Sequence, residues 1–347
     1  MAQPRTLALD AMGGDHGPEV IIPGAALSLV RHPALSFIFC GDEARIRPVL
    51  DQHAALKEKS RVVHTPLVVS MHEKPSQALR RGKGTSMWLA LEAVKTGAAH
   101  ACISGGNTGA LMAMGKLILR PISGIERPAM AALWPTVTAE CIVLDVGANI
   151  GASARQLADF ALMGAAMGRA IFHVERPTVG LLNVGTEEIK GADEVKEAHA
   201  ILKGLALPLD YRGYVEGDEI GQGKVDVVVV EGFAGNIALK TAEGTARQIG
   251  QYIKDALTRS FMSKLGAVLA KGGLMVLKQK MDPRRINGAT LLGLNGIVIK
   301  SHGGTDALGF ASAIDLGYEM AESGLLARLG ADLDAFHHTL TPAAAGS

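Results

Sequence analysis

Short apolar runs recur along the chain at residues 6–10, 36–40, 61–65, 99–104, 141–146, 179–184, 226–231 and 297–300. They are continuous, four to six residues long and mostly rich in β-branched side chains, which predicts strands buried on both faces of a parallel sheet. Between most of them lie stretches with an apolar residue every third or fourth position, at 86–96, 156–170 and 193–203, which predict amphipathic helices. Alternating strand and helix predicts an α/β fold: a mainly parallel sheet covered by helices on both faces. One domain is expected over 1–347.

The segment 237–283 breaks the alternation. It has no strand signal, and Ala246, Ile249, Ile253, Leu257, Phe261, Leu265 and Val268 lie along a single helical stripe. A protruding helical hairpin over 240–285 is expected here. Lys254, Arg259, Lys264, Lys271, Lys278, Lys280, Arg284 and Arg285 face only Asp255 and Asp282, so eight cations less two anions leave a local +6. Such a segment suits either a dimer or core contact with a solvated basic face, or an anionic membrane surface or acidic protein.

The loops at the strand exits carry the chemistry. AMGGDHG comes after Asp10, GGNTG after Ser104, GAN after Val146, GTEEIKG after Val184, GFAGN after Glu231 and SHGGTD after Lys300. In an open parallel sheet such exits share the carboxyl edge, where ligands bind, so one composite site is expected. Glycine alone is unusual in the composition: 42 residues in 347, about 12% against a usual ~7%. The net charge of +1 recruits no nucleic acid, so any anion site must be local. Three cysteines, Cys40, Cys102 and Cys141, form no disulfide or metal spacing, and a cytoplasmic location is expected. The charge-free stretch 96–115 contains Gly105, Gly106, Asn107 and Gly109 and is too polar to span a membrane.

Familiar catalytic signatures are missing. GKGTS at Gly82 has Gln77 where a phosphate-binding loop needs its leading glycine, and GQGKVD at Gly221 ends on Asp226 where a dinucleotide fingerprint needs glycine. No HExxH or GxSxG motif occurs, and Cys102 inside an apolar strand suits the core better than nucleophilic attack. Gly-rich turns, helix N-termini after GGNTG and GFAGN, Lys83 and Lys190, and the neutral donors Asn107 and Asn236 form a kit for an oxyanion. It suits attack by phosphate on a thioester, because phosphate is already anionic and a thiolate leaves without an acid. Single members have plainer uses: Asp10 and Asp145 suit helix caps, His16 and His302 suit turns, and Lys190 suits a solvated helix start.

LALDAMGGDHGPE at Leu7, CISGGNTGALM at Cys102, IERPAMAALWPT at Ile125, VLDVGAN at Val143, GLLNVGTEEIKG at Gly180, VVVEGFAGNIALKT at Val228 and KSHGGTD at Lys300 together resemble the acyl-acyl-carrier-protein:phosphate acyltransferase family, in order and over nearly the whole chain. The resemblance implies a Rossmann-like α/β/α sandwich related to phosphotransacetylase and to the isocitrate dehydrogenase group. It implies a homodimer that transfers a long-chain acyl group from acyl carrier protein to inorganic phosphate, with no metal or other cofactor, early in phospholipid synthesis. Acyl-coenzyme A:phosphate transfer is the alternative. By the same resemblance Lys190 and Asn236 are the expected catalytic pair. Asp10, Gly13, Gly14, Asp15, His16, Asn107, Thr108, His302, Gly303 and Gly304 are expected to line the cleft. Phe261, Met262, Leu265, Val268 and Leu269 are expected at a hydrophobic tip touching anionic membrane, where a downstream glycerol-3-phosphate acyltransferase would take the product.

Overall fold

A computed structural model describes residues 4–280 and 282–340; the expected domain ends at 1–3 and 341–347, and the side chains of Lys278 and Lys280, lie outside the described residues. Among the described residues eleven strands form one sheet: β1 (Arg5–Asp10), β2 (Leu35–Gly41), β3 (Ser60–His64), β4 (Ala101–Ser104), β5 (Ala129–Pro135), β6 (Glu140–Leu144), β7 (Thr178–Leu182), β8 (Asp210–Val215), β9 (Val227–Val229), β10 (Ala289–Leu292) and β11 (Ile297–Lys300). Their order across the sheet is β3-β2-β1-β4-β11-β10-β5-β6-β9-β7-β8.

Alternate residues of the strands feed two separate cores, as a period of two requires. Leu7, Leu9, Phe37, Phe39, Ile103, Leu144, Val227 and Ile299 pack on one face, with the helices Pro18–Arg31, Ala154–Phe172 and Ala307–Glu322 contributing to that core. Ala8, Ile38, Cys40, Cys102, Val143, Val228 and Val298 pack on the other, with the helices Ser86–Lys95 and Thr108–Ile118. Three layers, α/β/α, are the result, as expected. The helix Ala154–Phe172 starts two residues ahead of its apolar pattern because Ser153 and Gln156 close a reciprocal capping box.

The polarity of the sheet departs from expectation. The strands β1 to β4 and β11 run parallel to one another, and β6, β7, β8 and β9 form a second parallel set. Between the sets stand β10 and β5, antiparallel to each other and to their outer neighbours β11 and β6. Three reversals make the two sets run in opposite directions, so the six exits do not share one carboxyl edge. The exits of β1, β4 and β11 form one cluster and those of β6, β7 and β9 another. Four steps separate β4 from β6, and at roughly 20–25° each they turn the strand axes by about a quarter turn.

The expected hairpin is three helices, Gly232–Thr258, Phe261–Leu269 and Lys271–Lys280. The predicted single stripe breaks at Ser260, whose hydroxyl accepts from the Ser263 amide and starts a new helix. Only Gly232 and Gly235 of the 27-residue helix are buried, and nothing in Phe261–Leu269 is. Arg284 does not join the basic surface, because Asp282 and Asp306 hold it in ion pairs of 2.6 and 2.8 Å. Among the described residues no helix is long and apolar enough to cross a membrane.

Candidate functional site

The first cluster is built backbone against backbone. Gly14, after β1, has φ +86, and a Cβ there would fall 2.7 Å from the Gly303 carbonyl oxygen, so only glycine lets these loops meet. The Asp15 amide donates to that same oxygen at 2.9 Å. Asp10, at the end of β1, is 2% exposed and accepts from the Ser104 hydroxyl at 2.6 Å, while Ser104 accepts from the Gly106 amide at 3.0 Å. Burial raises the Asp10 carboxyl above its ordinary range, against the pull of Ser104, Ser86, the Met12 amide and Lys300.

Lys300 closes β11 at this point. Its ammonium donates to the carbonyls of Gly105, at 3.4 Å, and Ser301, and among the described residues it makes no ion pair. Removal from water pushes it down to about 8, helped by the charge of Lys240 and opposed by Asp10 and Asp15. Lys300 is absent from the residues expected at the site, although a lysine terminating the apolar run IVIK is a visible signal.

Several expected ligand groups are already committed. The Asn107 side-chain amide donates to the carbonyls of Met71 and Glu73, both at 2.9 Å, and its oxygen caps the helix Thr108–Ile118 by accepting from Ala110 at 3.0 Å. Asn107 therefore staples the 70–73 segment rather than offering a free donor, and Thr108 is simply the first helical residue. His302 accepts from Gly304 through its Nδ1 at 3.2 Å and its amide donates to Asn287, so it shapes the turn that carries Gly303 and Gly304. Asp15 and His16 are exposed at the rim, and Lys83 is exposed beside the cap that Thr85 makes for the helix Ser86–Lys95.

The second cluster turns on Asp145. Its carboxylate is fully buried and accepts from the amides of Met130, Gly147, Ala148 and Asn149 and from the Asn149 side chain, at 2.8 to 3.0 Å. Asp145 thus does the work foreseen for it as a cap, but for a loop. The next exit is locked to that loop: Glu231 accepts from Gly151 at 3.1 Å and caps the long helix by accepting from Phe233 and Ala234. The helix N-terminus expected to hold phosphate therefore already has a carboxylate on it.

Asn236 sits one turn into that helix, exposed, against the loop: a Cβ on Gly147 would be 3.3 Å from its Cβ, Cγ and Nδ2. Among the described residues its amide has no hydrogen-bond partner. Lys190 comes after β7 on the same edge, in a loop held by Asn183, which donates to the carbonyls of Gly185 and Lys190. Its ammonium pairs with Glu187 at 2.8 Å, and that bond raises it above the ordinary lysine range. Lys240 lies four residues beyond Asn236 and so on the same face of the helix.

Cys102 is fully buried and burial raises its thiol well above the usual range, the opposite of an activated nucleophile. Among the described residues no three His, Cys, Asp or Glu side chains gather to hold a metal ion.

A family model described as fatty acid synthesis protein matches residues 5–328. A relative from Afipia carboxidovorans named phosphate acyltransferase is 60% identical, over 95% of this chain and 94% of its own. One of the same name from Brucella canis is 58% identical over 96% of this chain and 97% of its own. A crystal structure of a phosphotransacetylase from Streptococcus pyogenes superposes with a TM-score of 0.61 at 19% identity, covering 91% of this chain and 94% of that one, which bears out the expected fold.

Proposed function

The chain belongs to the fatty acid synthesis protein family, and on that premise we propose that it transfers a long-chain acyl group from acyl carrier protein to inorganic phosphate, releasing acyl phosphate for phospholipid synthesis. The observation that carries this reading is the identity, along nearly the whole chain, with relatives named phosphate acyltransferase. A phosphate oxygen attacks the thioester carbonyl carbon, the new C–O bond forms, and the C–S bond breaks to release the carrier thiolate, which takes a proton from water. Asn236 carries the developing oxyanion: its amide is exposed and unengaged beside a loop fixed by five hydrogen bonds, so it donates without reorganising. Lys190 adds positive charge on the same edge once phosphate displaces Glu187.

The helical excursion supports a reading of assembly and location. Phe261, Met262, Val268 and Leu269 are 68 to 83% exposed and Leu265 47%, beside Lys254, Arg259, Lys264 and Lys271. Apolar residues at a tip with cations around it suit reversible docking on anionic lipid. The flank of the 27-residue helix, where Ile249 and Tyr252 are exposed, suits a second copy of the chain. A membrane-peripheral homodimer would hand its amphiphilic product directly to a membrane glycerol-3-phosphate acyltransferase. The test is a comparison of kcat/KM for palmitoyl-acyl-carrier-protein and acetyl-coenzyme A with phosphate as acceptor. The long-chain carrier donor is expected to win, and preference for acetyl-coenzyme A would make the protein a phosphotransacetylase instead.

A further inference from the structure

We infer that an apolar collar around Asn236, made of Ile150, Val184, Ile189, Phe233 and Ile237, holds the alkyl chain of the acyl donor and sets the protein's preference for chain length. This rests on the reading of Asn236 as oxyanion donor and adds the path that the chain takes away from the thioester.

Leu144 of β6, Val229 of β9 and Leu181 of β7 stand side by side in register, so three strand exits leave the sheet at one level. At about 4.8 Å per strand they start within roughly 10 Å of one another. From the middle exit rises the helix Gly232–Thr258, on which Phe233, Asn236, Ile237 and Lys240 are exposed at the spacing i, i+3, i+4, i+7, one face of a helix. Asn236 is thus a lone amide between two large apolar side chains. The exit of β6 brings Ile150 beside them: one oxygen of the Glu231 carboxylate accepts from the Gly151 amide at 3.1 Å and from the Phe233 amide at 2.9 Å. The exit of β7 brings Val184 and Ile189 from the other side, in the loop that Asn183 closes by donating to the carbonyls of Gly185 and Lys190.

All five are 51 to 87% exposed. Single exposed apolar residues are ordinary, whereas five on the loops around one amide, rimmed by Lys190, Glu187 and Lys240, mark a ligand surface. Covalent connection decides the occupant. A thioester whose carbonyl oxygen is held by Asn236 carries its alkyl chain one bond from the carbonyl carbon, so the chain leaves across the side chains that flank Asn236. Phosphate gains nothing from such a surface, but each methylene fully covered changes an affinity by about fourfold.

Titration of the whole protein with dodecyl phosphate and with butyl phosphate reads the collar without turnover. The two ligands differ by eight methylenes, and half-covering these should favour the dodecyl ligand by roughly 10²-fold. Phe233→Gln and Ile189→Gln replace exposed side chains and are each expected to cut that advantage about tenfold, and to lower by the same factor the ratio of kcat/KM for palmitoyl- over butyryl-acyl-carrier-protein. Val30→Gln, at an equally exposed apolar residue on the helix Pro18–Arg31, should leave both ratios alone. Acyl phosphate formation with both ratios at wild-type values in Phe233→Gln and Ile189→Gln overturns this inference alone. Equal losses for long and short donors overturn it as well, since the residues would then serve the reaction centre and not the chain. Loss of a dimer by these variants in sedimentation velocity, with the ratios unchanged, assigns the collar to a second copy and likewise overturns it. A chain-length advantage in binding that the variants lose, in a protein that makes no acyl phosphate, upholds the collar and overturns the acyl-transfer reading instead.

Discussion

Gly235→Ala and Gly244→Ala are the same change on the same helix, and the structure predicts opposite outcomes. At Gly235 a Cβ would fall 1.9 Å from the Asp145 carbonyl oxygen, 2.9 Å from Val230 Cγ1 and 3.0 Å from the Asp145 carbonyl carbon. Two of these are backbone atoms of a loop pinned by five hydrogen bonds, so the helix must lift; from 1.9 to an acceptable 3.0 Å is a shift of about 1 Å. Overpacking of this kind costs about 1–3 kcal/mol, set against the ~1 kcal/mol that alanine gains over glycine inside a helix. Asn236 rides on the displaced turn, and a 1 Å misplacement of a positioning group costs on the order of 10²-fold in rate. At Gly244 nothing lies within 4 Å, so alanine should stabilise by roughly 0.5–1 kcal/mol and leave kcat alone. Urea denaturation and steady-state kinetics on the two variants decide it. Equal stabilisation with unchanged kcat in both would refute the claim that the helix seats on the Asp145 loop and sets Asn236.

Asn236→Ala and Lys190→Ala should each lower kcat by roughly 10²–10³ with an unchanged melting curve, since both side chains are exposed and the loss is that of one oxyanion donor; near wild-type turnover in both would dismiss the pair. The wild-type protein should co-sediment with anionic liposomes in a salt-sensitive way, and Phe261→Glu with Leu265→Glu should abolish this while activity in solution survives; joint loss of dimer and activity would place the stripe in an interface. In phosphate-free buffer Lys300 should make stability depend on pH. Its folded value lies below the unfolded one, so between about pH 8 and 10.5 the unfolded chain binds more protons and stability rises with pH, by at most about 3 kcal/mol relative to Lys300→Met. A flat difference between the two proteins across that window would mean that Lys300 is well solvated.

Eight of the eleven strands are legible as apolar runs, and the three that are not explain what else was hidden. β5 reads AMAALWP, with alanine and methionine in place of β-branched residues and a proline at its end. β8, DYRGYV, is a polar edge strand with glycine inside it, and β10, ATLL, has a single β-branched residue. Two of these, β5 and β10, are the strands whose antiparallel pairing reverses the sheet. A parallel pattern read from the other eight therefore could not foresee two opposed edges. Local motifs fared similarly: the glycine loops were visible because glycine marks close backbone approach. The side-chain work within them depends on partners far along the chain, such as the 70–73 carbonyls that engage Asn107 and the Ser104 hydroxyl that donates to Asp10.

A single-turnover reaction with the protein in excess over palmitoyl-acyl-carrier-protein, monitored by intact-protein mass and phosphorus NMR, tests direct transfer to phosphate. Carrier thiol and acyl phosphate are predicted to appear at the same rate, only when phosphate is present, and with no change in the mass of the protein at any time. Thioester loss without phosphate, or an acyl group found on Cys102 or any other side chain, would contradict the account.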